Sequence, residues 1–472
     1  MVEITEFEKN YIKAIQDGSA AIFAGAGIGR SSGYMDWKNL LKEFADSINL
    51  DIERESDLIE VAQYFKNEKG SRYDINSKIL NEFLREAKNT RTVDLLASMP
   101  IFYYWTTNYD HLIEDALKNQ GKAVDTKITS DSLAVSLNNQ AVTVYKMHGD
   151  CIDPSNCVIT KDDYEIYNQK RNVFTIALQG HLVTKTFLFV GFSFEDPNLK
   201  YILSRIRTLL GENIRTHYCF FEKVTRKPGQ TKKEFEYIRN KQELKIHDLQ
   251  RYGIQAVMLD SYTQIPEILE HIKLQARTKN IFISGAAHTY GNKWDKTGVK
   301  LITLLSKLFY DNEYRIVTGH ARGVGSYIIS TLLENIQKDN SPLESHLLIR
   351  AFPYEDKDNP KYVSLKKEYR DSIAEISGIT IFIFGNKENE NGECVQASGM
   401  WDEYKSALTH NSYIIPVGST GFVARDIFEE MNKNRDRFPY LTSKDFDILG
   451  TSTNPETIVN QIREILLRIK KL

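Results

Sequence analysis

Short apolar runs alternate with longer amphipathic stretches along the whole chain. Runs of this length and apolar character are typical of strands that are buried on both faces of a parallel sheet. The stretches between the runs carry the spacing of amphipathic helices, which predicts a doubly wound α/β domain. In the first half the strands are predicted at 20–27, 103–110, 141–150, 186–194, 217–222 and 255–259.

A second series of the same kind follows a predicted helix at 265–277 and a polar connector at 278–280. Its strands are predicted at 281–286, 313–320, 379–386 and 412–419. The fold class is therefore predicted as α/β with two Rossmann-like domains, each a mainly parallel sheet flanked by helices. The predicted domains are 1–277 and 278–472, and the first carries a helical insert at about 45–100.

Composition narrows the class of protein. The chain has 472 residues, with 61 Lys and Arg against 63 Asp and Glu, so the net charge of -2 gives no electrostatic reason to expect nucleic acid or a membrane as a partner. Four cysteines exclude a disulfide scaffold. Only Cys151 and Cys157 lie close together, so no zinc site or other metal site is predicted. The charged N-terminus and the shortness of the apolar runs predict a soluble, cytoplasmic protein.

Polar residues follow the predicted strands of the first half. A glycine-rich turn at 25–29 follows the first strand, and such a turn lets the backbone approach a pyrophosphate. Asn108 and Asp110 follow the second strand, His148 follows another, and Ser193 another. Because ligands bind beyond the carboxyl ends of strands in open α/β sheets, these side chains are expected to point into one crevice.

The motifs GAG (25–27), GYMDW (33–37), TTNYD (106–110), HG (148–149) and GFS (191–193) together resemble the sirtuin family of NAD-consuming enzymes. The resemblance implies that His148 is the catalytic base and that Asn108 and Asp110 line the pocket for the nicotinamide ribose. It also implies that the NAD-binding residues include Gly25, Ala26, Gly27, Asp36, Asp110 and Ser193.

Each role has a structural alternative. Asn108 could position a ribose hydroxyl or a water molecule, or it could be a turn residue. His148 could accept a proton near neutral pH, or it could be a structural hydrogen-bonding group. Asp110 could line the pocket, or it could only cap a helix.

The departures from the sirtuin pattern decide which reaction is expected. Sirtuin deacetylases carry a zinc module with two cysteine pairs, and no CxxC occurs in this chain. The predicted activity is therefore that of an NAD hydrolase, in which water accepts the ADP-ribose. The alternatives are an NAD-dependent protein deacylase with a regulatory nucleotide-binding domain, and a scaffold without enzymatic activity that binds nucleotides in both halves.

The second half resembles the SMF/DprA-LOG (SLOG) family of nucleotide-sensor domains, through SGA (284–286), GHARGVGS (319–326) and PVGSTG (416–421). Hydrolases related to this family carry a glycine and a glutamate where Val417 and Val423 stand here. The resemblance therefore implies that this half binds a nucleotide without hydrolysing it.

The two halves together resemble the effectors of the Thoeris anti-phage defence system. That resemblance implies that a partner enzyme with a TIR domain makes a cyclic ADP-ribose isomer, which binds the second half and switches on NAD depletion in a homotetramer or a higher assembly. Three of the implied ligand contacts have alternatives: Arg370 as a solvated helix residue, Lys387 as a loop-tip lysine, and Glu403 as part of an ordinary amphipathic helix. The full set of implied contacts is Ser284, Gly285, Gly323, Gly325, Arg370, Lys387 and Glu403.

Overall fold

The computed structural model describes residues 1–135, 137, 141–351 and 360–472, and of 360–363 the backbone alone. The described chain divides into two compact units, Met1–Lys273 and Leu274–Leu472. The predicted domain boundary near residue 278 stays a prediction. Thr278, in the predicted connector, is buried, and Asn280 already begins a strand.

The first unit contains a seven-stranded sheet in which every pairing is parallel, in the order β3-β4-β2-β1-β5-β6-β7. Its elements are α1 (Ile4–Gln16), β1 (Ala20–Ala24), α2 (Ala26–Ser31), α3 (Trp37–Ser47), α4 (Leu58–Lys69), α5 (Tyr73–Phe83), α6 (Arg91–Ser98), β2 (Tyr103–Thr106), α7 (Leu112–Asn119), β3 (Val124–Lys127), β4 (Val142–Lys146), α8 (Lys161–Glu165), α9 (Tyr167–Thr184), β5 (Thr186–Val190), α10 (Pro197–Leu210), β6 (His217–Glu222), α11 (Lys232–Gln250) and β7 (Ile254–Leu259). Helix α12 (Ile265–Arg277) begins in the first unit and ends in the second.

The second unit contains a five-stranded parallel sheet in the order β10-β9-β8-β11-β14, and β12 and β13 form an antiparallel hairpin. Its elements are β8 (Asn280–Ser284), α13 (Gly298–Asp311), β9 (Arg315–Thr318), α14 (Gly325–Asp339), α15 (Leu343–His346), β10 (Leu347–Ile349), α16 (Pro360–Ile376), β11 (Ile379–Phe382), β12 (Asn386–Glu388), β13 (Cys394–Gln396), α17 (Gly399–Thr409), β14 (Tyr413–Pro416), α18 (Phe422–Lys433), α19 (Ser443–Thr451) and α20 (Pro455–Ile469).

The predicted fold class is confirmed, because each unit has a parallel sheet flanked by helices. Strands β1 and β5 are buried along their whole length, which explains why they read as continuous apolar runs. The predicted helical insert corresponds to the end of α3 and to α4–α6. Apolar side chains of α3–α5, such as Phe44 and Phe65, pack in one cluster with Tyr109, Cys151 and Ile159. None of the described helices combines the length and the apolar character that crossing a bilayer requires.

Candidate active site and nucleotide site

The order of strands in the first unit creates a switch point at β1. The sheet extends from β1 through β2 on one side and through β5 on the other. Crevices at such points bind ligands in open α/β folds. Gly25 follows β1 and Gly191 follows β5. A Cβ atom on Gly25 would lie 2.4 Å from the carbonyl oxygen of Gly191, so only glycine permits the two loops to approach this closely.

The glycine-rich turn at 25–27, predicted to approach a pyrophosphate, already uses part of its backbone for hydrogen bonds within the protein. The amide of Gly25 donates to the carbonyl of Val190 at 2.9 Å, and the amide of Gly27 donates to the carbonyl of Gly191 at 2.9 Å. Those two N–H groups are therefore already hydrogen-bonded. Ala26, which lies between them and begins α2, faces a cleft instead.

The cleft beside β1 brings three predicted site residues together: Ala26, Asn108 and Asp110. It encloses about 340 Å³, counting its open mouth. The enclosed part that is comparable with known binding cavities is only about 20 Å³, which is room for about one water molecule. The remaining lining comes from Gly29, Tyr34, Met35, Trp37, Leu40, Phe83, Thr107 and Tyr109.

Asn108 is tied to the loop that follows β1. Its backbone amide donates to the hydroxyl of Thr106 at 2.9 Å, and its side-chain Nδ2 donates to the carbonyl of Gly25 at 3.2 Å. The Thr106 hydroxyl in turn donates to the carbonyl of Ala24 at 2.9 Å. These bonds across β1 and β2 hold the amide side chain at the wall of the cleft.

Asp110 precedes His111, the N-cap residue of α7, and its side chain both binds the start of that helix and lines the cleft. Its Oδ1 accepts a hydrogen bond from the amide of Leu112, the first residue of α7, at 3.1 Å. Burial raises the pKa of Asp110 to about 6, and the positive charge of Lys146 opposes that rise. The side chain consequently changes its charge close to neutral pH.

His148 lies just beyond the end of β4 and is only 1% exposed. Its Nε2 is 3.3 Å from Oδ2 of Asp196, and its ring meets the rings of Tyr164 and Tyr167 edge to face, with centroids 5.6 Å and 6.1 Å away. Burial lowers the pKa of His148, so the imidazole is neutral at neutral pH and can accept a proton. It is not among the residues that line the cleft.

Two further predicted NAD-binding residues lie outside the cleft lining. Asp36 caps α3, where its Oδ1 accepts from the amide of Asn39 at 2.9 Å. Ser193 is exposed, and its hydroxyl accepts from the amide of Glu195 at 3.4 Å. The structure therefore gathers Ala26, Asn108 and Asp110 in the cleft lining. The other predicted residues do not line it: Gly25, Gly27, Asp36, His148 and Ser193.

A buried charge network behind the cleft was missed by the sequence reasoning. Lys146 is fully buried, and its Nζ lies 2.6 Å from Asp150 Oδ2 and 3.1 Å from Glu114 Oε1. Asp150 also accepts from Nε2 of His111 at 2.9 Å, and this contact raises the pKa of His111 to about 10. The one signal in the sequence was a lysine that ends an otherwise largely apolar strand.

The prediction that no metal is bound stays a prediction. His111, Asp150 and Cys151 bring potential ligand atoms within 4.8 Å of one another. The Asp150 carboxylate, however, is already paired with Lys146 and with His111.

The second unit has a switch point of the same kind at β8, between β9 and β11. Ser284 ends β8 and Gly285 follows it, while Gly325 begins α14 after the glycine-rich turn. Gly323 in that turn has φ +76°, and a Cβ atom there would lie 1.9 Å from the carbonyl oxygen of Ala287. The predicted glycine-rich turn therefore packs its backbone directly against the loop that follows β8.

Three predicted ligand contacts of this unit lie together. The Ser284 hydroxyl donates to Oε2 of Glu403, and Nε of Arg370 is 4.0 Å from Oε1 of Glu403. The Arg370 guanidinium also pairs with Asp402 at 3.0 Å, and its side chain is only 16% exposed. Burial raises the pKa of Glu403 to about 7, against the opposing effects of Ser284 and Arg370. Arg370 is thus not a solvated helix residue.

Lys387 stands apart from this group. It lies on β12, its side chain is exposed, and it makes no ion pair with a residue that the structure describes. Lys387 is thus a surface lysine, but it lies on a strand of the hairpin and not at a loop tip, as the alternative had it.

Comparisons with known proteins agree with the two units. Residues 103–246 match the SIR2-like domain, and residues 264–469 match the Sir2- and TIR-associating SLOG family. The chain is 40% identical over 468 residues to the protein named NAD(+) hydrolase ThsA of Bacillus cereus (strain MSX-D12), covering 98% of this chain and 97% of that one. It is also 40% identical over 476 residues to NAD(+) hydrolase ThsA of Cytobacillus dafuensis, with 98% and 96% coverage. Defense-associated sirtuin 2 of Bacillus subtilis is 25% identical over 234 residues, 48% of this chain and 23% of that protein.

Proposed function

The chain belongs to the ThsA family of NAD(+) hydrolases, and we propose that its first unit cleaves NAD and that its second unit controls this cleavage. The reaction is NAD plus water to ADP-ribose plus nicotinamide. The observation that carries the proposal is the 40% identity over 98% of the chain to proteins named for this activity. Depletion of NAD would then serve anti-phage defence in the cytoplasm.

The cleft beside β1 supplies the positioning groups for this reaction. Breaking the bond between nicotinamide and ribose builds up positive charge on the sugar, and water then adds to that carbon. Asn108, held by Gly25 and Thr106, orients a ribose hydroxyl or the water. Asp110, buried at the same wall, lines the pocket for the nicotinamide ribose.

His148 acts as the general base and takes the proton from the attacking water or from a ribose hydroxyl. Its neutral imidazole supports this role, because only the neutral form accepts a proton. The phosphates of NAD lie beside Ala26 at the start of α2, with Gly25 and Gly27 providing the close backbone approach. Asp36 and Ser193 border the remainder of the nucleotide.

The signal for the second unit is a cyclic ADP-ribose isomer made by a TIR-domain partner enzyme. Arg370 binds a phosphate of this ligand, Ser284 and Glu403 bind its hydroxyl groups, and Lys387 adds charge at the edge. Gly285, Gly323 and Gly325 form the backbone wall. This part of the proposal is supported by the match of residues 264–469 to a SLOG family that associates with Sir2 and TIR domains.

Control by a ligand is supported by the burial of His148 in the first unit. His148 is 1% exposed, so a substrate reaches it only after the residues that cover it have moved. Shifting an active state from about 1% to 99% requires roughly 5.5 kcal/mol of differential ligand affinity.

Assembly into a homotetramer or a higher oligomer through the first unit would help to provide that energy. Helix α9 supports this part of the proposal, because Val173, Ile176 and Val183 are 47%, 58% and 42% exposed along it. Such a row of exposed apolar side chains is typical of a contact surface. Light scattering of the full chain would give the oligomer size, and Ile176→Glu would be expected to reduce it.

The catalytic roles are tested by nicotinamide release from NAD. His148→Ala and Asn108→Ala are each expected to reduce the rate by about 10²–10⁴-fold, because they remove a general base and a positioning group. The matched controls are His247→Ala and Asn119→Ala, which change exposed residues. Unchanged turnover in both site variants would contradict the assignment. Stoichiometric O-acetyl-ADP-ribose from an acetylated peptide would favour the deacylase instead.

A further inference from the structure

Asp196 is the anion closest to the imidazole of His148. Its Oδ2 lies 3.3 Å from Nε2 of His148, and the hydroxyl of Tyr164 donates to the same Oδ2 at 3.2 Å. The carboxylate side chain is 9% exposed and the imidazole side chain 2% exposed, so little water screens the pair.

The carboxylate of Asp196 is held in place by its own helix. Its Oδ1 accepts from the amide of Leu199 at 2.8 Å and so caps α10, and Pro197 at the first helical position fits that start. One oxygen therefore fixes the side chain to the helix, while the other faces His148 and Tyr164. This division of the two oxygens gives the carboxylate one orientation relative to the ring.

Other charged groups near His148 are already engaged. Arg171 donates to the carbonyls of Ile128 and Asn156, both at 2.9 Å, and its charge disfavours a protonated imidazole. Asp163 pairs with Arg72 at 2.6 Å. Tyr164 and Tyr167 present their ring edges, and the hydroxyl of Tyr167 donates to the carbonyl of Met147 at 3.2 Å.

Neither imidazole nitrogen of His148 has a well-aligned hydrogen-bond partner among the described residues, although both are buried. An unsatisfied buried polar group of this kind requires an explanation. Catalytic hydrogen bonds are often long before the substrate binds and shorten in the reactive complex. The contact at 3.3 Å is consistent with such a bond.

Resting on the catalytic role of His148 proposed above, we propose that Asp196 is its positioning residue. Asp196 accepts the proton on Nε2 and so fixes the tautomer, which leaves the lone pair of Nδ1 as the proton acceptor. When Nδ1 takes the proton from water or a ribose hydroxyl, the carboxylate stabilises the imidazolium that forms. Tyr164 supports this arrangement by binding the same carboxylate oxygen.

The variant Asp196→Asn tests this inference, because the amide oxygen of asparagine caps a helix as well as aspartate does. Its NH2 group then takes the place of the oxygen that faces His148 and Tyr164, so the negative charge and the hydrogen-bond acceptor are both lost at that position. The kcat for nicotinamide release is expected to fall roughly tenfold to hundredfold while KM stays within a factor of two, as for the loss of an interaction made in the transition state.

The pH profile separates this role from a structural one. The negative charge of Asp196 raises the pKa of His148, so its removal lowers that pKa further and moves the acid limb of kcat to lower pH. A merely structural role would reduce kcat at every pH without moving the limb. Exchange of the imidazole C2 hydrogen, followed by mass spectrometry across pH, reads the same shift in His148 without any turnover.

Two variants complete the test. Glu195→Gln removes the neighbouring exposed carboxylate and is expected to leave both profiles unchanged. Tyr164→Phe keeps the ring against His148 and is expected to reduce kcat less than tenfold. Suppose that Asp196→Asn releases nicotinamide at the wild-type rate, and that neither the acid limb of kcat nor the C2 hydrogen exchange of His148 shifts. That result would overturn this inference but not the proposed function. No release by the wild type under any ligand condition would instead overturn the proposed function.

Discussion

The switch points of the two sheets share a backbone design but carry different chemistry. In both, a glycine after a central strand allows two loops to touch: Gly25 against Gly191 in the first unit, and Gly323 against Ala287 in the second. The first site places a neutral histidine and a carboxylic acid near its crevice. The second places a guanidinium beside a serine and a glutamate.

This difference indicates how one sheet design serves two tasks. A neutral imidazole whose pKa is lowered by burial is suited to moving a proton, which bond cleavage requires. A buried arginine cannot lose its proton and is suited to holding a phosphate. The proposed function accordingly assigns the reaction to the first unit and the recognition of the ligand to the second.

A substitution in the second unit, Arg370→Ala, tests this division most severely. Arg370→Ala is expected to raise the concentration of cyclic ADP-ribose isomer needed for half-maximal activation about 100-fold, because a buried charged partner is removed. The activity without ligand is expected to stay unchanged. Nicotinamide release against ligand concentration measures both quantities, and Lys405→Ala, an exposed lysine on α17, is the matched control. A normal response of Arg370→Ala would show that the ligand site is misplaced.

Glu403 sharpens the comparison through the pH dependence of stability. Its pKa is raised from 4.5 to about 7 in the folded protein. The folded state therefore holds a proton that the unfolded state has lost, so this contribution is complete below pH 4.5 and is lost as the pH rises to about 7. Glutamine is neutral at every pH and can still accept from Ser284.

Glu403→Gln is accordingly expected to be more stable than the wild type above pH 7, by on the order of 1–2 kcal/mol, and equal to it below pH 4.5. Urea unfolding of the full chain at several pH values measures the difference. Glu368→Gln, an exposed glutamate on α16, controls for the change of charge. A difference that does not vary with pH would contradict the raised pKa.

The smallest effect is expected at Lys387. Because this side chain is exposed on β12, Lys387→Ala should raise the half-activating ligand concentration less than about threefold at physiological salt. The effect should grow when the salt concentration falls. A change as large as that of Arg370→Ala would mean that the hairpin closes over the ligand.

Strand ends were the part of the site that the sequence predicted best. All ten predicted strands are strands in the structure, and Asn108 and Asp110 come together with Ala26 because β1 and β2 are neighbours. Strands β3, β10, β12 and β13 were missed, since short strands with exposed or half-exposed residues lack a continuous apolar run. The positions of Asp36 and Ser193 outside the cleft depend on loop geometry, which strand order does not determine.

The partners of His148 could not be predicted for a different reason. Tyr164 lies on the short helix α8. Asp196 follows His148 by 48 residues, and strand β5 lies between them in the chain. Their contact depends on how α8 and α10 pack on the sheet. Lys146 and Glu114 likewise meet only through packing, because 32 residues separate them.

Nicotinamide release from NAD by the full chain, measured with and without a panel of cyclic ADP-ribose isomers, tests the central claim most directly. The division between a reactive unit and a recognising unit predicts little release from the chain alone and at least tenfold faster release with one of the isomers. The same rate with and without every isomer would contradict control by the second unit. No release under any condition would contradict the hydrolase itself.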